Sequence, residues 1–260
     1  MTTLEGRSGD PDFGVVSGLQ LPTIQPLTAR SVVLSTLLGY HPPALPVSAL
    51  VRVGALFGIA DSATRAALSR LVAVGDLTAD DGVYRLTERL VRRQTAQDDS
   101  ASPQSRQWTG QWEMAVVITP ARPQADRVAL RKAMIYLRLT ELREGVWLRP
   151  DNLTRPVDDV VAEQCAFFGC EHPDPADLAR QLWDLATWAD IARSLYAELG
   201  QVGELPEGFV LIAQAVHHLR LDPCLPPELL PSDWPGQPLR ERFTAYRDQF
   251  ALRLREYSTG

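Results

Sequence analysis

Residues 61–74 hold the side chains whose types and spacing best fit a chemical task. At 100° per residue, Thr64, Ala67, Leu68, Leu71 and Val74 share one helical face, and Ser62, Arg65, Ala66, Ser69 and Ala73 share the other with Arg70 at its edge. The second face is small or hydroxylated, carries arginines, and lacks Glu and Lys. Such a face suits insertion into a DNA major groove, where bulk clashes and Arg donates to guanine or phosphate. Asp61 is the expected N-cap and Gly75 follows the last apolar position. The competing reading is a small-residue helix packed against another helix.

Other chemistry-bearing groups give weaker patterns. Cys165, Cys170 and His172 suggest metal ligation, yet two cysteines five apart on a strand face opposite sides, which favours buried thiols. His217 and His218 lie beside Arg220 on an expected helix, where adjacent residues diverge by 100° and cannot pair in one small site. These three are the candidate effector-binding residues, with a core or surface role as the alternative. Residues 115–119 contain no acidic metal ligand of the kind a small ferredoxin-like nuclease needs. No Gly-x-Ser-x-Gly, Walker or dinucleotide glycine pattern occurs, so no catalytic residue, metal site or cofactor is expected.

The elements that must position these groups follow from periodicity. Thr28 is placed to cap a helix with the stripe Val33, Leu34, Leu37 and Leu38, ending at Gly39. A proline-rich break follows, then a helix capped by Ser48 and carrying Leu50, Val51, Val53, Leu56 and Phe57. Only Gly58-Ile59-Ala60 separates it from the Asp61 helix, which is helix-turn-helix spacing. Residues 76–87 read as two short strands around Asp81-Gly82, a tight hairpin turn. Three helices and a hairpin describe a winged helix, with Arg85 on the wing and Tyr84 or Leu86 packing inward. A connecting helix then starts with Arg89, Arg92 and Arg93, and residues 97–107 read as a linker.

Further along, residues 112–119, 145–149 and 165–170 read as strands and 124–142 as a helix packing through Val128, Ile135, Leu139 and Leu142, with a helical piece at 157–163. That alternation suggests a ferredoxin-like sandwich. The last third reads as a helix from Pro175 through Leu195 and another over 208–219. Next comes a proline-rich connection holding Trp234, suited to fixing domain orientation. A closing helix carries Leu239, Phe243, Tyr246, Phe250, Leu254 and Tyr257 as a seam for a partner helix, within the subunit or across a dimer.

Composition bounds the rest. The 260 residues are 45% hydrophobic and 22% charged, enough for two or three compact units. The net charge of −6 is uneven: residues 26–97 hold eight Arg against five Asp or Glu, and the acidic excess lies elsewhere. A mildly basic reading module on an acidic body fits a regulator, since only the module meets phosphate. There is no apolar run of eighteen, no signal-like start and an odd count of three cysteines, so a cytoplasmic protein without membrane contact is expected.

The run from Thr64 to Gly75 followed by Asp81-Gly-Val-Tyr-Arg-Leu-Thr87 resembles the N-terminal domain of the PaaX family of phenylacetate-pathway transcriptional repressors. The resemblance continues through Trp108-Thr-Gly-Gln-Trp112, Leu142-Arg-Glu-Gly-Val-Trp-Leu-Arg-Pro-Asp-Asn152 and Asp222-Pro-Cys-Leu-Pro-Pro-Glu-Leu-Leu-Pro-Ser-Asp-Trp-Pro-Gly236, covering nearly the whole chain from Leu27. It implies a dimeric winged-helix protein that binds operator DNA and is released by phenylacetyl-CoA. Two departures stand out: Thr64 sits where an apolar residue is expected, and Val216-His-His-Leu-Arg-Leu221 replaces a more arginine-rich run.

Together these readings specify an α+β chain. They expect a flexible tail (1–25), a winged-helix DNA-binding domain (26–97), a ferredoxin-like central domain (108–173) and a helical C-terminal domain (174–260). Ser62, Arg65, Ser69, Arg70 and Arg85 are the expected DNA contacts. The expected function is repression of an aromatic-acid catabolic operon by a homodimer on double-stranded DNA, relieved by an acyl-CoA. The alternatives are a different effector and operon, or an acyl-CoA-binding protein or enzyme whose winged helix mediates protein contacts.

Overall fold

A computed structural model of the chain describes residues 27–101, 103–120, 123–201, 203 and 205–259. The tail expected over 1–25 lies outside them. The N-terminal unit runs α1 (Ala29–Leu38), β1 (Ala44–Pro46), α2 (Val47–Leu56), α3 (Asp61–Ala73), β2 (Leu77–Asp80), β3 (Val83–Leu86) and α4 (Glu88–Ala101). Thr28 caps α1 in a reciprocal capping box with Ser31. Asp81 and Gly82 both take positive φ, 46° and 72°, as a tight hairpin turn requires. β1 adds a third, antiparallel strand in the order β1-β3-β2, within the stretch read as a mere break. This is the order and pairing of a winged helix.

Several local expectations change. Ser48 does not cap α2, which starts at Val47 with Pro46 in the cap position, two residues earlier than expected. Asp61 is the first residue of α3 rather than its cap; Ala60 takes the cap position, and the Asp61 carboxylate turns to Arg65. Val74 lies past the end of α3 and is 67% exposed, whereas Thr64, Ala67, Leu68 and Leu71 are buried as expected. α4 continues to Ala101, into the stretch read as linker. The buried Thr64 is explained by its neighbour. A Cβ on Gly54 would lie 2.6 Å from the Thr64 hydroxyl, so α2 and α3 cross where a larger pair would clash.

The central unit runs β4 (Trp112–Val117), α5 (Gln124–Tyr136), β5 (Thr140–Arg143), β6 (Val146–Pro150), α6 (Asp159–Gln164) and β7 (Cys165–Cys170). Its sheet is antiparallel in the order β5-β6-β4-β7, the ferredoxin-like arrangement. The helix expected over 124–142 is shorter. Arg138 takes φ 58°, ends the helical path and lets Leu139 lead into a fourth strand. Consequently Leu130, Met134 and Leu137 pack inward, while Val128 and Ile135 are exposed.

The C-terminal unit comprises α7 (Pro175–Leu182), α8 (Leu185–Leu199), α9 (Leu205–Arg220), a short 3-10 turn at Pro227–Leu229 and α10 (Gly236–Thr259). The single helix expected from Pro175 breaks at Trp183-Asp184, where Asp184 accepts from the Thr187 N–H and caps α8. The α10 seam is filled within the subunit. Leu239 and Phe243 pack with Trp188, Leu195 and Leu219, and Phe250 and Leu254 pack with Phe209 and with Val32 and Val53 of the N-terminal unit. Tyr257 stays 41% exposed. The last cluster joins the winged helix to the helical domain.

Candidate nucleic-acid interface

Gly58, at φ 69°, makes the turn that aims α3 across α2, and α3 then presents Ser62, Arg65, Ala66, Ser69, Arg70 and Ala73 to solvent. Along this face the exposed groups are two hydroxyls, two guanidiniums and methyls. Arg65 donates from Nε to Asp61 Oδ1 at 2.5 Å and from Nη2 to Oδ2 at 3.5 Å. Ser69 Oγ donates to the Arg65 carbonyl at 3.1 Å. Among the described residues Arg70 has no hydrogen-bond or ion-pair partner, and neither has Arg85, which lies exposed on β3 opposite Thr78 and Ala44. Both are available to phosphate. The other basic residues near the wing are engaged: Arg30 and Arg89 converge on the buried Asp76, and Arg92 pairs with Glu88 at 3.2 Å.

The expected effector residues separate. His218 is 5% exposed, its ring stacked on Trp188 at 4.4 Å with Nε2 3.0 Å from the Trp188 carbonyl oxygen, and Trp234 also stacks on Trp188, at 4.6 Å. Burial pushes His218 down to about 4, with His217 adding to the shift and the Trp188 carbonyl and Asp222 opposing it. It is therefore a neutral part of the core at pH 7. Arg220 instead lies within electrostatic reach of Arg93 of α4 and of Tyr136 and Arg138 at the end of α5: burial lowers its pKa, Arg93 and Arg138 add to that, and Tyr136 opposes it. Arg138 is held there by Nη1, which donates to the carbonyls of Leu219, Arg220 and Asp222 at the end of α9. His217 faces Arg220, and its pKa is lowered first by burial and then by that guanidinium. A basic cluster thus forms where the three units meet. Sequence reading missed it, because Arg93, Arg138 and Arg220 are far apart in the chain.

Behind the cluster lies a buried polar junction. Arg149 is fully buried and donates to the carbonyls of Pro150 and Leu137 and to Asn152 Oδ1 at 2.7 Å, all neutral acceptors. Burial and the neighbouring Arg155 push it down to about 9, so it remains a cation at neutral pH. Asn152 donates to the Cys224 carbonyl, and Asp222 accepts from Arg240 and the Cys224 N–H. Cys165 is buried in the central core, and Cys170 is half-buried at the other end of β7. Among the described residues no group of His, Cys, Asp and Glu has the makings of a metal site.

His218 gives a pH dependence. Its folded pKa lies below the unfolded value of 6.5, so the unfolded chain binds a proton that the folded chain refuses. The stabilisation is complete above about pH 6.5 and is lost as pH falls toward 4, amounting to about 3 kcal/mol. Urea unfolding across that window should show the decline. In His218→Phe, which keeps the stack and removes the titration, the slope should flatten.

Comparison with known families and structures bears on the whole chain. Residues 28–90 match the family described as PaaX-like protein, residues 105–178 the PaaX protein central Cas2-like domain, and residues 178–259 the PaaX-like protein C-terminal domain. Among solved structures the chain is similar to the uncharacterized protein Rv0674 from Mycobacterium tuberculosis. The two share 43% identity and a TM-score of 0.75, over 88% of this chain and 98% of that one. No curated protein matches.

Proposed function

The chain belongs to the PaaX family of regulators of phenylacetate catabolism, and from that premise we propose that it is a DNA-binding transcriptional repressor of a phenylacetate-type operon, released by an acyl-CoA such as phenylacetyl-CoA. The observation that carries the DNA-binding part is the solvent face of α3. It follows a helix-turn-helix bend, its exposed side chains are small or cationic, and Arg70 and the wing's Arg85 have no partner among the described residues. Ser62, Arg65 and Ser69 face the groove floor in this reading, and Arg70 and Arg85 take phosphates. The protein acts as a cytoplasmic homodimer, so that two recognition helices meet half-sites about 34 Å apart on one side of the duplex. No described helix is long and apolar enough to cross a membrane.

For the effector, Arg93, Arg138 and Arg220, with His217 beside them, offer a phosphate-rich ligand three guanidiniums from three units. His218, enclosed in the aromatic stack, is left out of that site. Because Arg93 lies on the helix leading out of the winged helix, an anion held there biases the orientation of α3. Arg220→Gln is expected to raise the phenylacetyl-CoA concentration needed to release DNA by about tenfold, with DNA affinity unchanged. Equal release of wild type and variant, followed by fluorescence anisotropy, would move the effector elsewhere.

A further inference from the structure

The geometry at the start of α3 points to an operator guanine read by Arg65, with Asp61 as the positioning residue that keeps Arg65 on the base edge and off the phosphate backbone. This inference rests on the DNA-binding reading above. A guanidinium has two edges that donate in parallel: the side edge, Nε with Nη2, and the end edge, Nη1 with the second hydrogen of Nη2. Asp61 occupies the side edge of Arg65, at 2.5 Å and 3.5 Å. The end edge is left, and it is the edge that matches guanine O6 and N7.

The pairing also decides between base and phosphate. Asp61 and Arg65 are 56% and 55% exposed, and together they are electrically neutral. A neutral pair gains little from a phosphate, because the Asp61 carboxylate repels the anion that the guanidinium attracts. Guanine carries no net charge and offers two acceptors in the required geometry, so it loses far less to that carboxylate than a phosphate does. Arg70 and Arg85, without a carboxylate partner among the described residues, have no such restriction. The helix next to Arg65 is trimmed for close approach: Ser62, Ala66 and Ser69 are its exposed neighbours, and the Ser69 hydroxyl is turned back onto the Arg65 carbonyl.

Arginines of the two kinds should therefore respond differently to salt and to base sequence. Binding sites selected by the full-length protein from a random duplex pool identify the preferred bases, and anisotropy on the selected site then compares variants between about 50 and 200 mM salt. Arg65→Ala should lose about tenfold or more in discrimination at one guanine, with the slope of log affinity against log salt unchanged. Asp61→Asn, of the same shape without the charge, should steepen that slope by about one and raise affinity for unrelated DNA, lowering the ratio of specific to non-specific binding. Arg70→Ala should instead weaken all sequences alike and reduce the slope by about one. A loss in Arg65→Ala that is uniform over sequence and reduces the slope would make Arg65 a phosphate contact and overturn the inference, as would an Asp61→Asn protein with unaltered salt and base dependence. If wild-type protein binds no DNA at any salt, the DNA-binding reading falls with it; binding without an Arg65-dependent guanine sinks this inference alone.

Discussion

Asp222→Ala is expected to cost about 3–5 kcal/mol of stability, the penalty for removing one member of a buried ion pair. Asp222 is 1% exposed and accepts from Arg240, whose side chain is 11% exposed, and from the Cys224 N–H. Arg138, bound to the Asp222 carbonyl, and Arg149, with neutral acceptors only, are close by. Without the carboxylate, three guanidiniums remain at one junction, and Arg240 loses its ion-pair partner. Those groups come from both the central and the C-terminal units, so their loss loosens the contact between units as well as the local fold. Denaturant unfolding should show a lower midpoint at an unchanged slope. Asp222→Asn keeps the volume and an acceptor for the Cys224 N–H, so it should be destabilised less. A loss below about 1 kcal/mol in the alanine variant would mean that water or rearranged acceptors already satisfy these cations.

Phe250→Ala should cost a similar amount, about 3–5 kcal/mol, and should also break communication between units. Phe250 is 8% exposed, its ring centroid lies 6.3 Å from that of Phe209, and Phe209 meets Phe57 edge-on at 4.9 Å. Phe57 follows α2 of the helix-turn-helix, whereas Phe209 and Phe250 belong to α9 and α10. The ring chain is thus an apolar link between the N-terminal unit and the C-terminal helices. Its removal leaves the core around Leu37, Leu68 and Leu71 untouched. The variant should unfold in two resolvable steps and bind DNA with near-normal affinity, while phenylacetyl-CoA loses its hold over that binding. A single transition with intact release by the thioester would place the coupling outside this cluster.

What was legible in the sequence was local. Thr28 and the Val33–Leu38 stripe, the Asp81-Gly82 turn and the β-branched run of β4 each carry their own instruction, through capping, turn conformation and strand preference. Where two periods compete, the pattern misled. Val128, Ile135, Leu139 and Leu142 fit a helical stripe, yet the left-handed Arg138 interrupts it: Leu139 is buried as expected, whereas Val128, Ile135 and Leu142 are exposed and Leu130, Met134 and Leu137 pack inward instead. The break at Asp184 was hidden likewise, because apolar spacing on both sides of it stays in phase. The division of α3 into a buried face and an exposed face of small and cationic residues was readable, because helical periodicity alone separates Thr64, Ala67, Leu68 and Leu71 from Ser62, Arg65, Ser69 and Arg70. The basic cluster was not, since Arg93, Arg138 and Arg220 come together only through the packing of α4 against α9 and the hydrogen bonds of Arg138 to the carbonyls that close α9. The pairing of Asp61 with Arg65 lay between these cases: the spacing of four was visible, but an expected cap role had already claimed Asp61.

The most direct test of the proposed regulator is fluorescence anisotropy of the purified full-length protein on duplex DNA from upstream of its own gene, with and without phenylacetyl-CoA. Specific binding that weakens steeply with salt and is abolished by the thioester is the expected result. Binding that persists in the thioester would contradict the effector, and no binding at any salt concentration would contradict the assignment as a DNA-binding repressor.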